Sequence, residues 1–153
     1  KTTLANTESF SALGASYGFK VAKVGIVYQM RRDDANLLDN NYYDISAYFP
    51  TASGAILIDF GGFENKLVSD GDAISATVRY DHFLSKRTSV YGGYSMIRND
   101  ARARFGLAAA AGVPMTVAPG DNSRGLAIGL HLVPPGTNIR HRGLEEPPGL
   151  IRR

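Results

Sequence analysis

The stretch "YDHFLSKRTSVYGGYSMIRND", Tyr80 to Asp100, decides the fold. With the residues before it, the left arm sets Ile74, Ala76, Val78 and Tyr80 against Ser75, Thr77, Arg79 and Asp81. The right arm sets Val90, Gly92, Tyr94 and Met96 against Tyr91, Gly93, Ser95 and Asn99, with Ile97 breaking the alternation. Successive side chains of a strand point to opposite faces, so a period of two predicts two strands, and the Ser-Lys-Arg-Thr segment between them is short enough for a tight antiparallel turn. Each strand then has one apolar face, and the question is what lies against it.

Working outward, the same period recurs from residue 9 to about 133, and helical spacing fits none of these segments as well. Leu13, Ala15, Tyr17 and Phe19 oppose Ala12, Gly14, Ser16 and Gly18; Val24, Ile26, Tyr28 and Met30 oppose Lys23, Gly25, Gln29 and Arg31, with Val27 out of pattern. Tyr43, Ile45, Ala47 and Phe49 oppose Tyr42, Asp44, Ser46 and Tyr48. Ile56, Ile58 and Phe60 oppose Leu57, Asp59 and Gly61, the least regular of the set. Leu126, Ile128, Leu130 and Leu132 oppose Gly125, Ala127, Gly129 and His131. The expectation is an all-β, antiparallel up-and-down meander of about seven strands over residues 9–133, preceded by a short edge at 1–8 and followed by an irregular tail at 134–153, where four prolines and many charges end the pattern.

The connections alternate in length. Tight joins fall near Lys20 to Ala22, Thr51 to Ser53 and Ser85 to Thr88; longer polar ones fall at "DDANLLDN", "VSDGDA" and Arg102 to Asn122. A membrane meander shows this asymmetry, with short turns at one rim and long loops at the other, whereas a Greek-key sandwich mixes lengths.

Composition narrows the field. The 153 residues are 44% hydrophobic, and their mean hydropathy of −0.14 is that of neither a disordered chain nor a helical membrane protein. The longest apolar run, "LAAAAGVPMTVA", is too short to span a bilayer as a helix and contains Pro114. With no cysteine there is no disulfide framework or thiolate metal site. The net charge of +3 lies mostly beyond residue 139, and no aromatic interleaving accompanies it, so nucleic acid is not expected as a partner. The opening "KTTLANTESF" has no initiating Met and no apolar leader, as in an internal piece or a chain from which a signal was removed.

In a soluble sandwich the apolar face meets a second sheet. In a lipid-embedded barrel it meets acyl chains, the polar face lines an aqueous lumen, and aromatic rings collect at the two interfaces. Rings here gather at strand ends, with Phe19, Phe49, Phe83 and Tyr91 around the tight turns, while Tyr28, Tyr43 and Tyr80 stand on apolar faces, where a phenol bridges hydrocarbon and headgroups. The pattern therefore favours strands of a transmembrane β-barrel in contact with membrane lipid.

The Tyr-led strand ending in Leu84-Ser85-Lys86-Arg87-Thr88, with the Tyr-containing strand after it, resembles a segment of the Gram-negative trimeric general porins. "ALGASYGFKVAKVGIVYQ" is similar to another of that family's hairpins, and the resemblance covers roughly residues 8 to 132. It implies an outer-membrane location and passive diffusion of small hydrophilic solutes and ions. It also implies a homotrimer for the full-length protein, with no covalent chemistry and no cofactor. Sixteen-stranded relatives imply that these strands are a C-terminal portion, with the constriction loop upstream and Ser85, Lys86, Arg87 and Thr88 at the periplasmic rim. The family's ending, Gly-Leu-Arg-His-x-Phe, is replaced here by Gly129-Leu130-His131-Leu132-Val133-Pro134, as in a frameshifted or altered terminus. An open ribbon of about seven strands at ~4.8 Å spacing would expose two unpaired edges to lipid, so this piece is not expected to insert alone. Two other readings stay open: a small self-contained barrel or secreted β protein acting as an anchor or adhesin, and a soluble sandwich.

No nucleophile, phosphate loop or metal spacing is present; His82, His131 and His141 are scattered, and the glycines of "GGF" and "YGGY" open no helix. The functional candidates are charges assigned by parity to the polar face: Lys23, Gln29, Arg31, Asp44, Asp59, Arg79 and Asp81. In a lumen such cations bias a pore toward anions, and neighbouring carboxylates pair with them and cancel part of the field. Ala108 to Ala111 would allow a short helical turn in the longest connector, a candidate gate.

Overall fold

A computed structural model of the chain describes residues 7–108 and 115–132. It contains seven strands, β1 (Glu8–Gly18), β2 (Lys23–Asp33), β3 (Asp39–Thr51), β4 (Gly54–Asn65), β5 (Ala73–Ser85), β6 (Thr88–Asn99) and β7 (Ser123–Leu132). They form one antiparallel sheet in chain order, each strand hydrogen-bonded to its sequence neighbour, with β7 not closing on β1. Strand number, order and direction agree with the period-two reading. The expected tail at 134–153, the edge residues 1–6 and the alanines 109–111 lie outside the described residues. Ala108 itself makes a β-bridge rather than a helical turn, because Met115 returns its N–H to the Leu107 carbonyl at 2.9 Å and draws this part of the connector into an extended pair.

Register fixes the two faces. Ile26 stands opposite Ala15 and Ile45, Ile45 opposite Phe60, Phe60 opposite Ala76, and Ala76 opposite Met96. One row away, Val78 stands between Ile58 and Tyr94. These side chains share the apolar face, and no protein layer covers it: Leu13 is 76% exposed, Leu126 84% and Ile128 90%. Among the described residues no large side chain is fully buried, and the buried apolar positions are four alanines, Ala22, Ala55, Ala73 and Ala103. A water-soluble domain of this size buries large aliphatics. A sandwich core is therefore excluded for these strands. A face of this kind, rimmed by phenols, is what hydrocarbon solvates.

Tyr28 and Tyr43 are direct register partners on the apolar face. The Tyr43 ring lies flat over Gly62, where an added Cβ would come within 2.1 Å of Cζ. Glycine at that position lets the ring cover the bare backbone of the neighbouring strand. Phe49 and Tyr80 occupy the same face toward the short-turn rim. Tyr91 departs from the reading as a rim ring in lipid. Its register opposite Asp81 and Gly129 puts it on the hydrophilic face.

The rims differ as the connection lengths suggested. Residues 19–22, 52–53 and 86–87 form one set of turns, and 34–38, 66–72 and 100–122 the other. Each long connection is organised by a short polar side chain that satisfies backbone N–H groups. Asp33 accepts from Leu37 and Leu38, Asn65 from Leu67 and Val68, and Asp72 from Asn65. The longest connection is tied to its neighbour by Asp100 N–H to the Asp72 carbonyl and Arg102 N–H to the Asp70 carbonyl.

Asn99 holds that longest connection. It is 6% exposed, donates through Nδ2 to the carbonyls of Phe105 at 2.9 Å and Asp121 at 2.7 Å, and accepts the Phe105 N–H at 3.0 Å. The Phe105 ring packs on Phe63 at 4.5 Å, and Phe63 belongs to the hydrophilic-face register, so the connection leans over that face at its rim. Asn99→Ala strands one donor and two acceptors. It is expected to lower the stability of the full-length folded protein by about 2 kcal/mol, read as a shift in its urea unfolding midpoint in detergent, with proteolysis rising first in this connection.

Candidate functional site

The hydrophilic face is built by the alternate positions of the same strands. Lys23 stands opposite Tyr48, Gln29 opposite Tyr42 and Arg31 opposite Asn40. Asp44 is opposite Gly61, and Asp59 is opposite Ser46 on one side and Thr77 on the other. Arg79 is opposite Leu57 and Gly93, and Asp81 opposite Ala55 and Tyr91. All seven parity-assigned candidates therefore lie on one face. Its apolar members, among them Phe10, Val27, Leu57, Phe63 and Ile97, are interruptions among serine, threonine, glycine, tyrosine and charge. Lys86 and Arg87 form the β5–β6 turn, where the Arg87 N–H donates to the Ser85 hydroxyl at 3.1 Å.

The cations on this face are not equivalent. Arg79 donates through Nε and Nη2 to both oxygens of Asp81, at 2.6 and 2.9 Å, while its guanidinium carbon sits 4.5 Å from the centre of the Tyr91 ring. That bidentate grip and cation–π contact hold the charge flat against the wall. Arg31 grips Glu8 through Nε and Nη2. Lys23 makes no ion pair or hydrogen bond among the described residues. It borders a groove of about 270 Å³ that Ser16, Gly25, Ser46, Tyr48 and Asp59 also line.

The carboxylates outnumber the cations. Register places Glu8, Asp33, Asp44, Asp59 and Asp81 on this face, against Lys23, Arg31 and Arg79. Asp44 accepts from the Tyr42 hydroxyl at 3.3 Å and approaches Asp59 across the β3–β4 pair. Among the described residues neither aspartate has a cationic partner. Gly61 leaves room for this group: a Cβ there would stand 2.8 Å from the Ser75 hydroxyl and 3.5 Å from an Asp44 carboxylate oxygen.

Several of these partners were not evident from sequence. Glu8 lies before the expected start of the first strand, and once β1 begins at Glu8 the parity of Phe10 carries it to the hydrophilic face beside Arg31. Tyr91 belonged to the polar set by its position in the strand, yet only its packing on Arg79 gives it a role there. Asn99 looked like a strand-end polar residue, and its anchoring role depends on the return of residues 105 and 121, which no local pattern specifies.

An antiparallel meander with an uncovered apolar face, a hydrophilic opposite face and rims of unequal loop length is a section of a transmembrane β-barrel wall. The profile of the Gram-negative porin family matches residues 2–102, and the chain belongs to that family. It is 31% identical over 131 residues to outer membrane porin protein 32 of Delftia acidovorans, an alignment that takes in 83% of this chain. Its fold matches the anion-selective porin from Comamonas acidovorans with a TM-score of 0.77 and 29% identity over 84% of the chain. The chain spans 37% of the length of the first relative and 40% of the second. The outer membrane is accordingly the protein's location.

Proposed function

We propose that the protein of which these strands are part is a passive diffusion channel for small hydrophilic solutes and ions, assembled as a homotrimer. The single observation that carries the channel reading is the division of one sheet into an uncovered apolar face and a charged, glycine-rich face on the same strands. Water and solute move along the second face because its hydroxyls, amides and charges replace part of a solute's hydration shell, while the first face holds the wall in the bilayer. No covalent step and no cofactor enters this reading. Liposomes carrying the full-length protein are expected to swell in isotonic small sugars far faster than protein-free liposomes. Swelling equal to the protein-free rate overturns the proposal.

Selectivity follows from which charges are free. Arg31 and Arg79 are each tied to a carboxylate, whereas Asp44 and Asp59 stand together without a cation among the described residues. This part of the wall favours cations, so an anion preference like that of the Comamonas relative has to come from other residues of the full barrel. In the full-length protein Asp44→Asn with Asp59→Asn is expected to raise the chloride-to-potassium permeability ratio by about two-fold at low salt, where screening is weakest. The reversal potential across a planar bilayer measures it. Arg79→Gln is expected to move that potential the opposite way, toward potassium, since it leaves the Asp81 carboxylate without its cation.

A further inference from the structure

Register draws two adjoining rows across the hydrophilic face, one of small residues and one of large. Ser16 stands opposite Gly25, Gly25 opposite Ser46, and Ser46 opposite Asp59, so short side chains run from β1 to β4. Nearer the short-turn rim, Lys23 stands opposite Tyr48, and Tyr48 opposite Leu57. The step between the rows is the groove of about 270 Å³ that Lys23 and Asp59 both border. Gly25 keeps its floor low, since a Cβ there would stand 3.2 Å from the Ser46 hydroxyl. Pockets that take drug-sized ligands measure roughly 300–1,000 Å³, so this groove suits a smaller solute.

The two ends of the groove carry opposite charges that do not meet. Lys23 is exposed and Asp59 half-buried, and neither has an ion pair among the described residues. Two strand spacings of ~4.8 Å and two residues of ~3.4 Å set their backbones about 12 Å apart. The flexible lysine stem crosses part of that distance and leaves room for a small solute between the charges. Asp44, diagonal to Asp59 across the β3–β4 pair, brings a second carboxylate to the negative end. Arg79, diagonal to Asp59 on β5, does not offset them because both oxygens of Asp81 hold its guanidinium. An anion in the groove meets two carboxylates, and a cation meets the Lys23 ammonium. A solute that carries an ammonium and a carboxylate a few bonds apart satisfies both ends at once, and a purely anionic or cationic one is repelled at one of them. Between the ends, the Ser46 hydroxyl and the Tyr48 phenol supply hydrogen-bonding groups, and Leu57 with the Tyr48 ring gives an aliphatic side chain an apolar surface.

We propose that this groove is a transit binding site for small amino acids in their zwitterionic form, with the carboxylate held by Lys23 and the ammonium by Asp59 and Asp44. The site rests on the channel reading and names a solute class for it. Lumen water and dissolved ions reach both ends, so binding is weak enough for the solute to leave again, as conduction requires. A net field along the wall sorts solutes by net charge and leaves a zwitterion unaffected; a pair of opposite charges at fixed spacing is what distinguishes a zwitterion from an uncharged solute of the same size.

The test uses the full-length protein in liposomes at neutral pH, where both groups of an amino acid are charged. Labelled alanine is the probe, glycerol the uncharged solute of similar size, and succinate the anion. Lys23→Gln and Asp59→Asn are each expected to lower the alanine-to-glycerol uptake ratio at least two-fold, with glycerol uptake unchanged. The two variants are expected to part on succinate, which Lys23→Gln slows and Asp59→Asn speeds. Lys86→Gln, which removes a lysine charge from the β5–β6 turn, is expected to leave the alanine ratio as it was. Alanine uptake that rises with succinate in Asp59→Asn would show that the wall acts only through its net field, and overturns the site. So does an alanine ratio that is unchanged in either variant while glycerol still enters. Glycerol entering no faster than into protein-free liposomes removes the channel reading itself, and the site with it. Should either variant fail to fold, competition in the unaltered protein decides: excess unlabelled glycine slowing labelled alanine more than an equal excess of glycerol supports the site, and equal slowing by the two overturns it.

Discussion

Ile26→Arg is expected to destabilise the full-length barrel by about 2–4 kcal/mol, and Val27→Arg, one residue on, by less than about 1 kcal/mol. The two positions have similar side chains and differ in the face they use. Ile26 lies one row inside the Tyr28–Tyr43 pair, opposite Ala15 and Ile45, and is open to the medium on the apolar side. A guanidinium there is placed in hydrocarbon. Val27 lies opposite Gly14 and Asp44 on the hydrophilic face. An arginine there gains water and a carboxylate partner that has no cation among the described residues, and it is expected to shift the permeability ratio toward anions as well. Reversible unfolding of the two variants in detergent or lipid vesicles measures the difference. Equal destabilisation by both would mean that the apolar face does not meet lipid.

The second large effect is expected at Gly54. A Cβ at this position would stand 2.0 Å from the backbone oxygen of Asp81 and 3.0 Å from the Tyr80 hydroxyl. The obstructing atom belongs to the backbone of β5, which is locked between β4 and β6, so it cannot swing aside as a side chain would. The neighbouring ladder contact, Phe83 N–H to the Ser53 carbonyl at 2.8 Å, holds the β3–β4 turn against the same strand. Gly54→Ala therefore forces strand separation at the short-turn rim, at a cost of about 3 kcal/mol or more. In refolding of the full-length protein the folded, heat-modifiable species is expected to fall to a small fraction of wild type. Gly18→Ala, where nothing lies within 4 Å of the added atom, is expected to refold normally. Similar yields for the two would show that the β4–β5 approach is not held as tightly as the geometry requires.

Most of the fold was legible because a strand's alternation is a local property. The parity of Lys23, Arg31, Asp44, Asp59, Arg79 and Asp81 followed from counting in twos from residues such as Ile26 and Val78, and antiparallel pairing in register preserves that parity from strand to strand. The lipid assignment was legible too, because alternating faces with rings near the rims and turns of unequal length satisfy a barrel and fit a sandwich poorly. What could not be read was the consequence of pairing. That Arg79 is spent on Asp81 and Tyr91, and Arg31 on Glu8, depends on rotamers and on where β1 begins. The same parity count gave those cations and Lys23 equal standing, although of the three Lys23 alone has no partner among the described residues.

The long connection marks the same boundary. Its sequence announced length and polarity, while the Phe63–Phe105 contact and the Asn99 anchor arise from residues brought back across the rim. The sequence by itself determined the number of strands, their faces and the class of solvent each face meets, since hydrophobic periodicity is written residue by residue. Tertiary structure decided which charges are paired among the described residues and how the rim is closed over. Those outcomes depend on distances of a few ångströms between residues far apart in the chain, and electrostatic and hydrogen-bond energies change over that same range.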